Sequence, residues 1–322
     1  YVMPFQLDMA DIRGRITRLG SVLDGILSAQ DYPPPVAGLL GEAVLLASTL
    51  AGMLKYDGIF TLQFSGDGPV KTLVADVTGN NALRGYAGFD QERLEAVLAQ
   101  KEENAEVTLR DLAGKGYLAF TVDQGQTEDR YQGLVELSGP DLATCVQHYF
   151  EQSEQIRTDF SVACASYNGH WRGAGLMIQK LPSGTAESGT AENPHGPRSV
   201  QDTDHLSPEQ AAEENWRRAC VLMESCASQE LTSPDLPAED LLYRLFHEEQ
   251  VRVFPKSEIH RGCRCNRDKL ANVLASLSEQ DLADSVQEDG QITMTCAFCN
   301  IDFRFNPDRI RSGGNADGNP PG

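Results

Sequence analysis

Along the first 180 residues the apolar positions change period several times. Ile12, Ile16, Leu19, Val22, Leu23, Ile26 and Leu27 recur at spacings of three and four, which predicts an amphipathic helix over Asp11–Leu27, although Gly14, Gly20 and Gly25 fall inside it. Tyr32-Pro33-Pro34-Pro35 stops any helix. Val36–Leu54 is rich in small residues and apolar almost all round, the pattern of a helix buried on every side. Ile59–Phe64 then alternates with period two, Gly66-Asp67-Gly68-Pro69 turns the chain, and Val70–Val77 resumes as a strand. After a turn at Gly79-Asn80-Asn81, Arg84-Gly85-Tyr86 ends a further short strand, so a hairpin or meander is expected. Tyr117–Val122 and Gly133–Leu137 read as a strand pair joined by the polar loop Asp123–Gln132. A helix over Asp141–Ser153 and strands at Thr158–Ser166 and Gly173–Gln179 complete this part.

From Pro182 the pattern dissolves. Ser183–Pro194 is small, polar and proline-bearing, the composition of a flexible linker. Helix signals return at Ser207-Pro208-Glu209-Gln210, with an N-cap serine, proline in the first turn and glutamine at the capping-box position. Two helices are expected, Glu209–Glu230 and Glu239–Glu249, the second carrying Leu241, Leu242, Leu245 and Phe246 as one apolar stripe. Charged and entered by a loose segment, they would be held by docking more than by their own propensity. Farther on, Lys269–Leu277 has helical periodicity, Ser278-Glu279-Gln280-Asp281 opens a second short helix, and Ile292–Thr295 and Ile301–Phe305 form a hairpin. The fold class expected is α+β: a mixed α/β core over residues 1–181, a loop and helical linker over 182–255, a small module over 256–310 with two short helices and a β-hairpin, and a disordered tail over 311–322.

Composition narrows the function. The chain has 322 residues, 40% of them hydrophobic, with a mean hydropathy of −0.36, and no stretch approaches an uninterrupted membrane span. No secretory leader is visible at Tyr1–Leu7. The formal charge of −20 opposes a phosphate backbone as main partner. A soluble protein binding neither nucleic acid nor membrane is the expectation.

The chemistry is concentrated near the C-terminus. Cys263-Arg264-Cys265 and Cys296-Ala297-Phe298-Cys299 are two tight pairs among eight cysteines, the arrangement of two knuckles converging on one tetrahedral zinc ion. Two structural disulfides, or unrelated buried thiols, are the plainer alternatives; so large a chain does not need disulfide staples. Four thiolates leave no open position, which opposes metal-assisted hydrolysis. Zinc has no redox chemistry of its own, so any such chemistry belongs to the sulfurs. Lys256, Arg261, Arg264, Arg267 and Lys269 surround the first pair and favour thiolate, the form that peroxide attacks. Oxidation would pair the thiols, expel the metal and unfold a module too small to stand without it. Cys145 and Cys164 read as core thiols, and Cys220 and Cys226 do not share a helix face. His148 and Glu154 have no nucleophile or carboxylate partner at a meaningful spacing, and Gly66-Asp67-Gly68 between two strands is a turn rather than a phosphate loop.

These residues resemble the 33 kDa heat-shock class of redox-regulated holdase chaperones, the 33 kDa chaperonin family. The zinc signature is Cys263-Arg264-Cys265 with Cys296-Ala297-Phe298-Cys299-Asn300, supported by Gly66-Asp67-Gly68-Pro69, Arg84-Gly85-Tyr86, Tyr131-Gln132-Gly133 and Ser153-Glu154-Gln155-Ile156 in the same order; the stretch Pro182–Leu206 is longer than the family's usual linker. The resemblance implies a cytoplasmic, ATP-independent holdase and no enzyme. It implies one Zn(2+) per chain on Cys263, Cys265, Cys296 and Cys299 in an inactive, reduced monomer. Oxidant would form Cys263–Cys265 and Cys296–Cys299 disulfides, release zinc, unfold the helical segment around Leu206–Phe254 and expose a surface for unfolding clients, with dimerisation of the oxidised chain. A structural zinc ribbon binding nucleic acid, or an oxidoreductase using Cys296–Cys299, are the rival readings.

Overall fold

One apolar helix separates two largely antiparallel sheets, and the chain is arranged around it in a computed structural model that describes residues 1–53, 58–102, 105–124, 131–181 and 207–311. In chain order the elements are β1 (Val2–Leu7), β2 (Ile12–Leu19), α1 (Ser21–Leu27), α2 (Pro34–Ala51), β3 (Ile59–Gly66), β4 (Val70–Thr78) and β5 (Ala82–Phe89). There follow α3 (Gln91–Leu98), α4 (Leu109–Ala113), β6 (Gly116–Asp123), β7 (Tyr131–Glu136), α5 (Leu142–Tyr149, prolonged by a π turn over Phe150–Glu154), β8 (Thr158–Tyr167) and β9 (His170–Lys180). The remainder comprises α6 (Pro208–Glu224), α7 (Ser228–Thr232), α8 (Ala238–Phe246), β10 (Val251–Val253), β11 (His260–Arg261), α9 (Arg267–Ala275), α10 (Glu279–Asp284), β12 (Ile292–Thr295), β13 (Asp302–Phe305) and α11 (Pro307–Arg311). The sheet orders are β10-β1-β2-β9-β8, β11-β5-β4-β3-β6-β7 and β12-β13.

Helix α2 is buried on almost every face, as its unbroken small and apolar residues dictate. Proline at its first turn replaces an amide that would have had no partner, so Pro34-Pro35 starts this helix rather than only ending the previous segment. Among the described residues it is the only helix long and apolar enough to cross a membrane, and 78% of it is buried inside the fold. Its Leu40 and Val44 share the first core with Leu62, Phe64, Leu73 and Leu83 of the β11-β5-β4-β3-β6-β7 sheet. The opposite face of the β10-β1-β2-β9-β8 sheet carries a second core in which Phe5, Ile12, Ile16, Leu176 and Ile178 meet Trp216, Met223, Leu231, Leu241, Leu242 and Phe246 from α6, α7 and α8. The helices after the linker are therefore the lid of that sheet, and β10 is its edge strand.

The helix expected over Asp11–Leu27 is instead β2 followed by α1. Ile12, Gly14 and Ile16 satisfy a period of two as well as a spacing of four, and all three face one side of the sheet. Gly14 is the deciding residue: a Cβ there would lie 2.1 Å from Phe5 Cζ, so the ring of the neighbouring strand occupies the space of the missing side chain. The single helix expected over Glu209–Glu230 is broken at Ser225–Ala227 into α6 and α7. The capping box at Ser207 is present, with Ser207 Oγ accepting from Gln210 N–H at 3.2 Å and Gln210 Oε1 accepting from Ser207 N–H at 2.9 Å. The strands β1 and β10 and the helices α3, α4 and α11 have no counterpart among the sequence expectations; Pro4 inside β1 masks its alternation. The linker composition at Ser183–Pro194 and the tail over 312–322 fall outside the described residues.

A half-buried carboxyl links α2 to α5. Glu42 Oε1 accepts the N–H of Ala143 at 2.9 Å, and burial pushes its acid up to about 7. Between about pH 4.5 and 7 the unfolded chain has lost this proton while the folded chain keeps it, so folding stability falls as pH rises through that window. Glu42→Gln keeps an acceptor for Ala143 and removes the titration. Urea unfolding at pH 5 and pH 8 is expected to lose up to about 3 kcal/mol less between the two pH values in this variant than in the parent; equal pH slopes would place the titration elsewhere.

Candidate metal centre

The first cysteine pair is delivered by the core sheet itself. Strand β11 runs parallel along the edge of β5, with His260 opposite Ala82 and Arg261 opposite Leu83, and Gly262 N–H donates to the Leu83 carbonyl at 3.0 Å. A Cβ on Gly262 would stand 2.6 Å from that of Ala82, so the chain can approach this closely only as glycine. Cys263 and Cys265 follow immediately. The second pair occupies the turn between β12 and β13, where Asn300 N–H donates to Cys296 O at 2.8 Å and Cys296 N–H to Ile301 O at 2.9 Å. Asn300 adopts φ +57°, a left-handed position that asparagine tolerates better than most side chains.

The four sulfurs lie within 4.8 Å of one another, with Cys263 Sγ to Cys296 Sγ and Cys265 Sγ to Cys299 Sγ both at 3.6 Å. A tetrahedron with metal–sulfur bonds of about 2.3 Å has edges of about 3.8 Å. The cluster can therefore hold one metal ion with little movement, and four thiol donors are a set that zinc takes. All eight cysteines are free thiols, and Cys145, Cys164, Cys220 and Cys226 lie outside the cluster. Burial pushes the Cys164 and Cys220 thiols up to about 12, which leaves them unreactive near neutrality.

Burial and hydrogen bonds together set the charge state of the cluster. Burial raises the Cys263 thiol, but the backbone N–H of Cys265 and the thiols of Cys265, Cys296 and Cys299 outweigh it and bring it down to about 7. Cys299 is pushed up to about 11 by burial, against the opposing N–H of Ile301, and Cys265 is also raised, by burial first. Three of the five basic side chains expected to favour thiolate are engaged elsewhere: Arg264 on Asp76, Arg267 on the Arg304 carbonyl and the Phe305 ring, and Lys256 beside Glu239 and Tyr1. In their place the backbone amides polarise the sulfurs. The module's own core is small: Leu274, Leu282, Ile292, Cys296, Phe303, Phe305 and Ile310 are its buried side chains.

What sequence reasoning missed is the seat of the cluster. Arg264, between the first two cysteines, donates to the carboxylate of Asp76 on β4. The ring of Phe298, between the second two, lies under the Arg84 guanidinium at 3.8 Å and against Tyr86 at 5.9 Å. The neighbouring Ala297 carbonyl accepts from Gln30. The available signal was Asp76, a carboxylate inside the apolar run Leu73–Val77 of β4.

Of the other candidates, Glu154 accepts Tyr131 Oη at 2.6 Å and Tyr149 Oη at 2.9 Å at the mouth of a cavity of about 450 Å3 lined by Phe60, Phe120 and Phe150. No second carboxylate joins it among the described residues lining that cavity, and His148 is half-buried on α5. The Gly66–Gly68 turn already spends its amides, Asp67 N–H on Lys115 O at 3.0 Å and Gly68 N–H on Ala113 O at 2.9 Å, so they are not offered to a phosphate.

Comparison with known proteins covers nearly the whole chain. A family model described as "Hsp33 protein" matches residues 1–306. The 33 kDa chaperonin of Caulobacter vibrioides is 34% identical over 310 residues, spanning 95% of this chain and 94% of the relative. The 33 kDa chaperonin of Ectopseudomonas mendocina is 34% identical over 303 residues, spanning 94% and 90%. In fold, the chain is similar to the crystal structure of the 33 kDa chaperonin (heat shock protein 33 homolog) of Thermotoga maritima, with a TM-score of 0.72 at 20% identity over 97% of each chain.

Proposed function

Since this chain belongs to the Hsp33 family of 33 kDa chaperonins, whose members are chaperones and not enzymes, we propose that it is a cytoplasmic, ATP-independent holdase gated by the four-cysteine cluster. The observation that carries this reading is the packing of four thiols within 4.8 Å on two short knuckles of a module with a minimal core of its own. Cys263, Cys265, Cys296 and Cys299 would hold one zinc ion, which supplies the bonds that tie the two knuckles together.

The sulfurs do the sensing. A thiolate attacks the O–O bond of hydrogen peroxide, keeping one oxygen as a sulfenic acid while the other leaves as water after taking up a proton. The partner thiol then attacks that sulfur, forming the S–S bond and releasing the second oxygen as water. Each pair loses two electrons and two protons, and one peroxide becomes two waters. With Cys263–Cys265 and Cys296–Cys299 both closed, no thiolate donor is left for the metal. The tie between the knuckles is lost, and the module with it. Release of α6, α7 and α8 then uncovers Phe5, Ile12, Ile16, Leu176 and Ile178, an apolar sheet face suited to unfolding clients. The reduced form would be a monomer, and the oxidised form, with this face open, a homodimer.

The test is light scattering of a thermally aggregating client beside the reduced, zinc-loaded protein or the peroxide-treated one. Suppression only after oxidation, with one zinc released per chain and intra-knuckle disulfides in peptide maps, is expected. Equal suppression in both states would make the cluster structural and remove the switch.

A further inference from the structure

Asp76 is an outward-facing residue that is nonetheless buried. Along β3, Phe60, Leu62 and Phe64 point into the core, so Thr61 points away from it. Thr61 pairs with Asp76, and Asp76 with Arg84, placing the three in one row across β3, β4 and β5 on the face opposite α2. Asp76 is only 3% exposed because the metal-binding module sits on it. Its carboxylate accepts Thr61 Oγ1 at 2.7 Å, Arg84 Nε at 2.7 Å and the Arg264 guanidinium. One register step along, Tyr86 faces Phe298, whose ring also carries the Arg84 guanidinium.

Each knuckle thus contributes one non-cysteine side chain to the core sheet: Arg264 is received by Asp76, Phe298 by Arg84 and Tyr86, and the Asp76–Arg84 ion pair joins the two contacts. We propose that Asp76, Arg84 and Tyr86 form a receptor for Arg264 and Phe298, which couples the geometry of the cysteine cluster to docking of the module and so to closure of the α6–α8 lid. This rests on the redox-gated reading above and names the contact through which that gate acts. Arg264 and Phe298 are fixed in direction because their flanking cysteines share one cluster; once each knuckle closes on itself, nothing holds the two side chains in common register. Opening does not strand a charge, because Asp76 keeps Arg84 and Thr61 when Arg264 departs. A latch that leaves no unpaired buried ion is cheap to open and can close again.

The test uses variants on the core side, away from the cysteines: Arg84→Ala, Tyr86→Ala and the pair together, in the full reduced chain with zinc. Zinc content should stay at one per chain. Limited proteolysis and amide exchange of 256–262 and 207–250 should rise at least tenfold, and client suppression should appear without peroxide. Arg264→Ala should reproduce this, and Arg264→Lys should restore it only in part, since lysine cannot match the planar fork. Parent-like protection in the double variant with zinc bound would overturn the proposal. So would loss of zinc from the core-side variants, since docking and metal retention would then be one property. Loosened docking with no client suppression in any state would instead uphold the latch and sink the holdase reading.

Discussion

Replacing Cys296 and Cys299 together by serine is expected to abolish zinc retention, from one equivalent per chain to none, and to unfold the module around them. Serine is close in volume to cysteine, so packing changes little; what is lost is two of four donors. The module has few means of compensating. Its buried side chains are seven, one of them Cys296 itself, and its helices α9 and α10 are short. Structural zinc contributes on the order of 10 kcal/mol to small modules of this kind, far more than so slight a core supplies. Metal analysis after gel filtration, with amide exchange across 263–310, reads both effects. Full zinc content in the double variant would remove these residues from the metal site. Protection across 263–310 without zinc would show a module that folds on its own.

The second large effect belongs to the lid. Phe246 is fully buried at the end of α8, stacked on Phe5 with ring centroids 5.9 Å apart, and shares the second core with Leu241, Leu242 and Ile16. Phe246→Ala is expected to cost about 3–5 kcal/mol, more than a docked helical segment of this kind can spare. The core sheets do not depend on that ring, so the outcome is selective: rapid protease cleavage within 207–250 in the reduced, zinc-loaded chain, with near-parent zinc content and an intact fragment over 1–181. Client suppression should then appear without oxidant. A uniform fall in thermal stability with no selective cleavage would mean that lid and core unfold as one unit.

How much of this was legible in the sequence depends on where the information lies. The cysteine spacing, the capping box at Ser207 and the alternation of β3 and β4 are local signals, each set by a few neighbouring residues, and they placed the cluster and most of the first sheets. The segment over 12–19 was misread because Ile12 and Ile16 fit both periods; only the Phe5 ring packed over Gly14, a contact between strands, decides for β. Strand β10 is three residues long and exists because β1 offers it an edge, which no periodicity can announce. The basic residues near Cys263 misled in a similar way. Their charge was visible, but Arg264 turns to Asp76, nearly two hundred positions earlier, leaving the sulfurs to the amides of Cys265 and Ile301.

The pairing of β10 with β1 has a topological consequence. Strand β9 ends at Lys180 and β10 begins at Val251, and both are rungs of one sheet, so the lid is a loop pinned at its two ends rather than a free arm. Letting go of the sheet would give it the freedom of a tethered bight of about 70 residues, and the ends would not need to find each other again on return. Closing such a loop from an open chain costs about 4 kcal/mol of entropy, and that cost is met in advance for as long as β10 stays laddered to β1. A segment held in this way can be released and recaptured repeatedly without the rest of the chain having to refold.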